Sequence, residues 1–410
     1  MGLQPATRRL EAAGTGSGPA ATFSPRSAKG EGAERGVRLA LPQSVSGMRM
    51  TPLCTALSLA LLLVVPSARA AETRVTKEAI LQSLITNVIL PAHADFAARA
   101  RELAAATDAL GSTPTLESLT AARQTCGSTL LAWKRVSCIQ HGPLEELDLF
   151  NKFNFWPSRP NSIQSALDSA RPIDDTFIAE QGVTVVSLYA LEYLLFSSGS
   201  PAGIAAKVDA SASLKTFVGE AGARRRALTR AVAKQISVWA ALLDRAWSPA
   251  GGNHAKQWVA AGQASVGLLV NNLVATVERS AVVRLDSVLS FAGAPQDIHW
   301  FEGAPSGNTI SNIVTALTTV RRLYDGAAGA GFDDQLKQME SSLPARLDAQ
   351  FDKTFASLAA IGMPLEEALL KKKAAIEAAR DQCRALEILL KVDLVSALGV
   401  TLTFTSGDGD

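Results

Sequence analysis

The chain has 410 residues, with 40 Lys and Arg against 38 Asp and Glu, 47% hydrophobic and 6% aromatic residues, and four cysteines. Its formal charge of +2 hides an asymmetry: eight of the basic and three of the acidic residues fall within residues 1–70, so the remainder stands at −3. That balance excludes the basic face a nucleic-acid-binding protein needs, no nucleic-acid motif accompanies it, and nucleic acid is not an expected partner.

Residues 1–47 are rich in Gly, Ala, Ser, Pro and Arg and carry no periodic apolar positions. Such a segment cannot bury a core and reads as a disordered leader or a gene-model extension, with translation starting at Met48 or Met50. Residues 48–70 have the layout of a secretory signal peptide: Arg49 precedes the apolar stretch Leu53 to Val65, and Pro66-Ser67-Ala68-Arg69-Ala70 supplies small residues for cleavage after Ala70. The apolar stretch is shorter than the roughly 20 residues of a membrane span. Export to the periplasm and a soluble mature chain are therefore expected. Three cysteines remain, Cys126, Cys138 and Cys383. Two of them on one helix twelve residues apart would stand about 18 Å from each other, so a disulfide, if formed, would join Cys383 to Cys126 or Cys138; three buried thiols are the alternative.

From residue 71 onward the chain is rich in Ala and Leu and its apolar positions recur with helical spacing, which predicts an all-α protein. The predicted helices run from Thr76 to about Ala106 with an interruption near Pro91, from a Thr113 cap toward Gln140, and from Leu214 to Trp247. Ser248-Pro249-Ala250-Gly251-Gly252-Asn253 is the strongest internal breaker. It divides an N-terminal bundle, residues 71–247, from a C-terminal bundle, residues 254–410. In the second, helices are predicted over 255–289, 308–324, 333–359 and 364–398. Two packed helical bundles leave a groove between them as the natural ligand site.

The segment Val185 to Phe196 is apolar on every side except at Glu192. A helix of that kind is buried, and a buried carboxylate needs a cation, a hydrogen-bond network, a metal or a proton. Tyr189, three residues earlier, shares its face. A phenol beside a carboxylate can bind a hard cation, engage a ligand, or simply satisfy the Glu. The four histidines, His93, His141, His254 and His299, are scattered, with no H-E-x-x-H, which gives a zincin-type site no support. His141 and His254, beside Gly and Pro, are expected in surface loops. His299-Trp300 before Phe301-Glu302 suits packing better than a pocket. The aromatic run ending in Trp156-Pro157-Ser158-Arg159 reads as a rigid cover over a bundle end, and Lys371-Lys372-Lys373 as a solvated helix face.

Several pieces, in this order, resemble the imelysin-like family of exported bacterial proteins: Asn87-Val88-Ile89-Leu90-Pro91, Ala132-Trp133 followed by Gly142-Pro143, Phe155-Trp156-Pro157-Ser158-Arg159, Ala190-Leu191-Glu192-Tyr193-Leu194-Leu195-Phe196, Ser306-Gly307-Asn308-Thr309-Ile310-Ser311-Asn312-Ile313, and the tail from Ala397 to Asp410. The resemblance implies two helical bundles, export and a link to iron acquisition. It also implies a metallopeptidase label and a G-x-H-x-x-E signature at a metal or ligand site. The signature Glu falls on Glu192, its Gly on Ser187 and its His on Tyr189, so half of the signature is absent.

Three functions compete on this reading. The first is a periplasmic binding or accessory component of iron or other metal uptake, with Glu192, Tyr189 and Ser187 at the ligand site and Glu192 as the candidate metal ligand. Its partners would be a metal ion or small ligand, iron or another divalent metal, and other exported or membrane uptake components. The second is a metal-dependent peptidase with Glu192 as ligand or base, which the loss of the motif His to Tyr189 weakens. The third is a scaffold in which Glu192 pairs with Arg135 or Arg159.

Overall fold

A computed structural model describes residues 74–198, 209–290 and 301–403. The segments read as leader and signal peptide, His299-Trp300 and residues 404–410 of the C-terminal tail lie outside the described residues. Among those described, every regular element is helical and none is a strand. The principal helices are α1 (Lys77–Leu84), α2 (Leu90–Ser112), α3 (Leu116–Val136), α4 (Leu188–Phe196), α5 (Ala223–Trp247), α6 (Gln263–Val277), α7 (Val283–Ser290), α8 (Thr309–Asp325), α9 (Leu343–Ile361) and α10 (Lys373–Ile388).

Helix α2 packs against both α3 and α5, and α9 and α10 pack together beside α6 and α7. Helix α8 touches α3 on one side and α6 and α9 on the other, while the short α4 rests on α3 and α5. One apolar cluster runs from Ile80 to Leu398. Its aromatic centre is Trp133, whose ring lies 5.6 Å from Phe96 and 4.9 Å from Phe153. Trp133 donates its Nε1–H to Asn154 (3.0 Å), so its one polar atom is satisfied inside the core.

The predicted boundaries shift where local chemistry outweighs periodicity. Thr115, not Thr113, caps α3, because its hydroxyl accepts from the Ser118 N–H while the Ser118 hydroxyl accepts from the Thr115 N–H. The helix predicted over 333–359 is two, Phe332–Gln338 and α9, because Pro344 starts the second one. The one predicted over 255–289 breaks at Gly262, whose φ of 54° lies in the left-handed region. Pro91 does interrupt the first helix: a π-helical turn, Ile85–Ile89, precedes α2. Pro91 has no N–H for the Asn87 carbonyl four residues back, and Arg322 of α8 supplies a donor to that carbonyl at 3.2 Å.

One apolar stretch escaped the sequence reading. The continuous helical stretch Gln263–Ser290, containing α6 and α7, is long and apolar enough to cross a membrane by length and composition, and 67% of its apolar window is buried. That burial is what a core helix of a soluble protein shows. His254 is also not a surface-loop residue. It begins a short helix, His254–Ala260, and meets Trp247 edge-on with ring centroids 4.9 Å apart.

Candidate functional site

Helix α4 is the short apolar segment singled out by sequence. Ser187 opens it, its hydroxyl accepting from the Ala190 N–H at 3.2 Å. Arg225 of α5 closes it: Nε and Nη2 donate to the Leu194 carbonyl at 3.1 and 2.6 Å, and Nη2 also reaches the Ser197 hydroxyl at 2.8 Å. With both ends capped by side chains, nine residues can stay helical inside the core. Everything from Leu188 to Leu195 is buried, Glu192 at 3% exposure included.

Among the described residues Glu192 has no ion-pair partner. Its Oε1 accepts from the Ser306 N–H (3.2 Å) and the Ser306 hydroxyl (2.5 Å), and Oε2 accepts nothing from the described residues. The expected arginine partners are elsewhere: Arg135 pairs with Asp95 at 2.5 Å, and Arg159 donates to the Pro157 carbonyl. Burial drives the Glu192 carboxyl up to about 7. The Ser306 hydrogen bonds and Lys134 oppose that rise, and the nearby charge of Glu302 adds to it.

Tyr189, on the same face, donates its hydroxyl to Glu302. Glu302 is the hub of the arrangement. Oε1 takes the Tyr189 hydroxyl and the Lys134 ammonium (2.5 Å), and Oε2 takes Arg284 Nε (2.8 Å). Lys134 and Glu302 are each 3% exposed. Burial alone would raise the Glu302 carboxyl, but Arg284 and Lys134 outweigh it and hold the group well below the ordinary carboxylate range. Burial draws the Lys134 ammonium down, with Glu302 opposing, and pushes the Tyr189 phenol well up, with Glu302 adding to the rise.

Two carboxyls thus stand on neighbouring supports with opposite protonation behaviour. Glu302 is locked as an anion by two cations, while Glu192 exchanges its proton near neutrality. Cys126 of α3 lies close enough for Glu192 to add to the burial-driven rise of its thiol. The turn carrying Glu302 and Ser306 is tight, with Gly303 at φ 75°. A Cβ on Gly303 would stand 2.6 Å from the Asn312 amide nitrogen. Both amide atoms of Asn312, which is 2% exposed, lack partners among the described residues.

The structure brings Glu192 and Tyr189 onto one buried face, while Ser187 serves as the cap of their helix. His93 lies apart, buried on α2 with Nδ1 on the Ile89 carbonyl at 2.8 Å. His141 contacts Glu145 and His254 lies against Trp247. The sequence reading did not pick out Lys134, Glu302, Arg284 or Ser306 as site residues. Lys134 directly follows the quoted Ala132-Trp133 pair, and Ser306 opens a quoted motif. Neither carries a spacing signal tying it to Glu192, 58 and 114 positions away. Among the described residues no three His, Cys, Asp or Glu side chains converge on a point that could hold a metal ion. The donors around Glu192, one open carboxylate oxygen and the Ser306 hydroxyl beside the buried Lys134 and half-buried Arg284, do not by themselves make a cage for a bare divalent ion.

Comparison with known proteins agrees with the fold. The chain is 24% identical over 294 residues to iron-regulated protein A of Synechococcus elongatus, covering 70% of this chain and 76% of that one. Its fold matches a crystal structure described as an iron-regulated protein A precursor from Parabacteroides distasonis, with a TM-score of 0.66, 17% identity, and coverage of 81% of this chain and 97% of the other. It also matches an imelysin-like protein from Psychrobacter arcticum, with a TM-score of 0.60, 17% identity, and coverage of 80% and 97%. The Imelysin family model matches residues 89–392, which span α4, Glu302 and the helices that support them. The chain belongs to the Imelysin family.

Proposed function

We propose that this protein is an exported, periplasmic binding or accessory component of iron acquisition, and that its ligand engages Glu192 on the face it shares with Tyr189. The observation that carries the reading is Glu192 itself: 3% exposed and, among the described residues, with no basic partner and no hydrogen bond to Oε2. A structural carboxylate in such a place is ordinarily paired in full, because an unpaired one costs several kcal/mol. The link to iron is supported by the printed names of the relatives and by family membership. Because the surrounding donors do not cage a bare ion, the metal is proposed to arrive with ligands of its own.

The test is calorimetry and elemental analysis of purified protein with ferric and ferrous iron, each free and chelated, for wild type and Glu192→Gln. Binding of chelated iron by wild type, weakened at least tenfold by the substitution, is the expected outcome. Equal binding by both proteins, or none by either, defeats the assignment of Glu192. Metal-dependent cleavage of an unfolded substrate that vanishes in Glu192→Gln would favour the peptidase instead.

A further inference from the structure

Arg284 is only 16% exposed, yet Glu302 uses just one of its five N–H donors, Nε at 2.8 Å. Nη1 and Nη2 have no partner among the described residues. Its guanidinium lies over the Trp156 ring, 4.1 Å from the centroid. On that same ring the Nε1–H is buried and unpartnered. Unlike the indole N–H, the Nη edge of Arg284 is not sealed in the core, so a ligand can reach it. Glu302 and the indole together fix the guanidinium plane, so the free edge is held in a set direction. Lys134 and Arg284 against Glu302 also leave the cluster one positive charge in excess while Glu192 is protonated.

We propose that the free edge of Arg284, together with the Trp156 Nε1–H, binds the carboxylate of a small anionic ligand. A planar guanidinium fork matches two carboxylate oxygens, and a further donor beside it strengthens the match. Such an anion would neutralise the excess charge. Glu302 links this point to Tyr189, and hence to the helix that carries Glu192. The inference rests on the proposed binding role and narrows it: the ligand that brings the metal is a carboxylate chelator. It also assigns a task to the Phe155-Trp156-Pro157 segment, which as a mere cover over a bundle end would leave an indole N–H buried without purpose.

Calorimetry with citrate, with succinate and with inorganic phosphate tests it on the full purified protein at low and moderate salt. Citrate is expected to bind wild type. Arg284→Lys keeps a cation beside Glu302 but loses the fork, and should weaken citrate at least tenfold. Trp156→Phe keeps a ring under the guanidinium and removes only the N–H, and should weaken citrate by a smaller factor. It serves as the second probe if Arg284→Lys fails to fold. No citrate binding to wild type, equal binding by wild type and both variants, or phosphate binding as tightly as citrate overturns the proposal. Chelated iron that binds through Glu192 while citrate ignores Arg284 would sink this inference and leave the binding role. Citrate binding through Arg284 with iron indifferent to Glu192 would do the reverse.

Discussion

At the residue scale the two carboxyls respond to pH in opposite senses. Glu192 titrates at about 7 in the folded chain, above its ordinary value of 4.5, so the native state holds a proton that the unfolded state has released. Stability contributed there falls as pH rises from about 4.5 to about 7 and then levels off. The span corresponds to roughly 3 kcal/mol. Glu192→Gln removes the titration and should become more stable relative to wild type between pH 5 and pH 8, by up to that amount. Urea melts of both proteins at the two pH values check it, and a stability difference that does not change with pH refutes it. Glu302 is displaced downward, so its contribution is present above the ordinary carboxylate value and is lost only in acid. Glu302→Gln leaves Lys134 and Arg284 facing a neutral amide in the interior. It should cost roughly 3 to 5 kcal/mol near neutrality, read in the same melts, and proportionally less in acid. The need for a partner at Glu192 was legible from one charged position in an apolar helix; the identity of that partner, Ser306, was not.

At the scale of elements, α4 depends on groups distant in sequence. Nine residues cannot sustain a helix unaided. The Arg225 fork on the Leu194 carbonyl and the Ser197 hydroxyl closes its C-terminal end in the core. Arg225 is buried enough that its own guanidinium is drawn down to about 10. Arg225→Lys supplies a point charge where two directed donors are needed. It should destabilise the protein by about 2 kcal/mol through the orphaned carbonyl and hydroxyl, and should raise amide exchange in α4 before it does so in α2 or α3. Uniform exchange across these helices would show that Arg225 does not hold α4 in particular. Periodicity exposed the long helices because each buries one stripe, and it placed α2, α5 and α8 to within a few residues, apart from the end of α2 and the start of α5. It missed the breaks at Gly262 and between Gln338 and Leu343, where a left-handed residue, Gly262 or Glu340, interrupts the helix although the apolar pattern continues.

At the scale of the whole molecule, the three cysteines report on the packing. Cys126, Cys138 and Cys383 are free and buried. Burial pushes the Cys138 and Cys383 thiols up to about 12, and Cys126 well above its ordinary value as well. Thiol reagents act on the thiolate. Modification at pH 8 should therefore be slow in native protein and should reach all three sites only in denaturant, while reductant leaves the melting temperature unchanged. A non-reduced peptide linking Cys383 to either of the others would contradict this. The pairing expected from an oxidising compartment is not the one the fold makes; the third possibility, three buried thiols, is.

That the described chain is helical, that residues 185–196 are interior, and that Glu192 is carried inside with Tyr189 beside it could be read from the order of residues alone. Those properties follow from the order of apolar and polar side chains along one element. The tertiary structure alone decided what meets Glu192 and Tyr189: the Ser306 hydroxyl for one and Glu302, already held by Lys134 and Arg284, for the other. Residues 134, 192 and 284 sit on three separate helices, residues 302 and 306 on one turn, and the five share no period. Their meeting is fixed by how α3, α4 and α7 and the turn before α8 pack, and that depends on the volumes of many side chains together rather than on any local pattern.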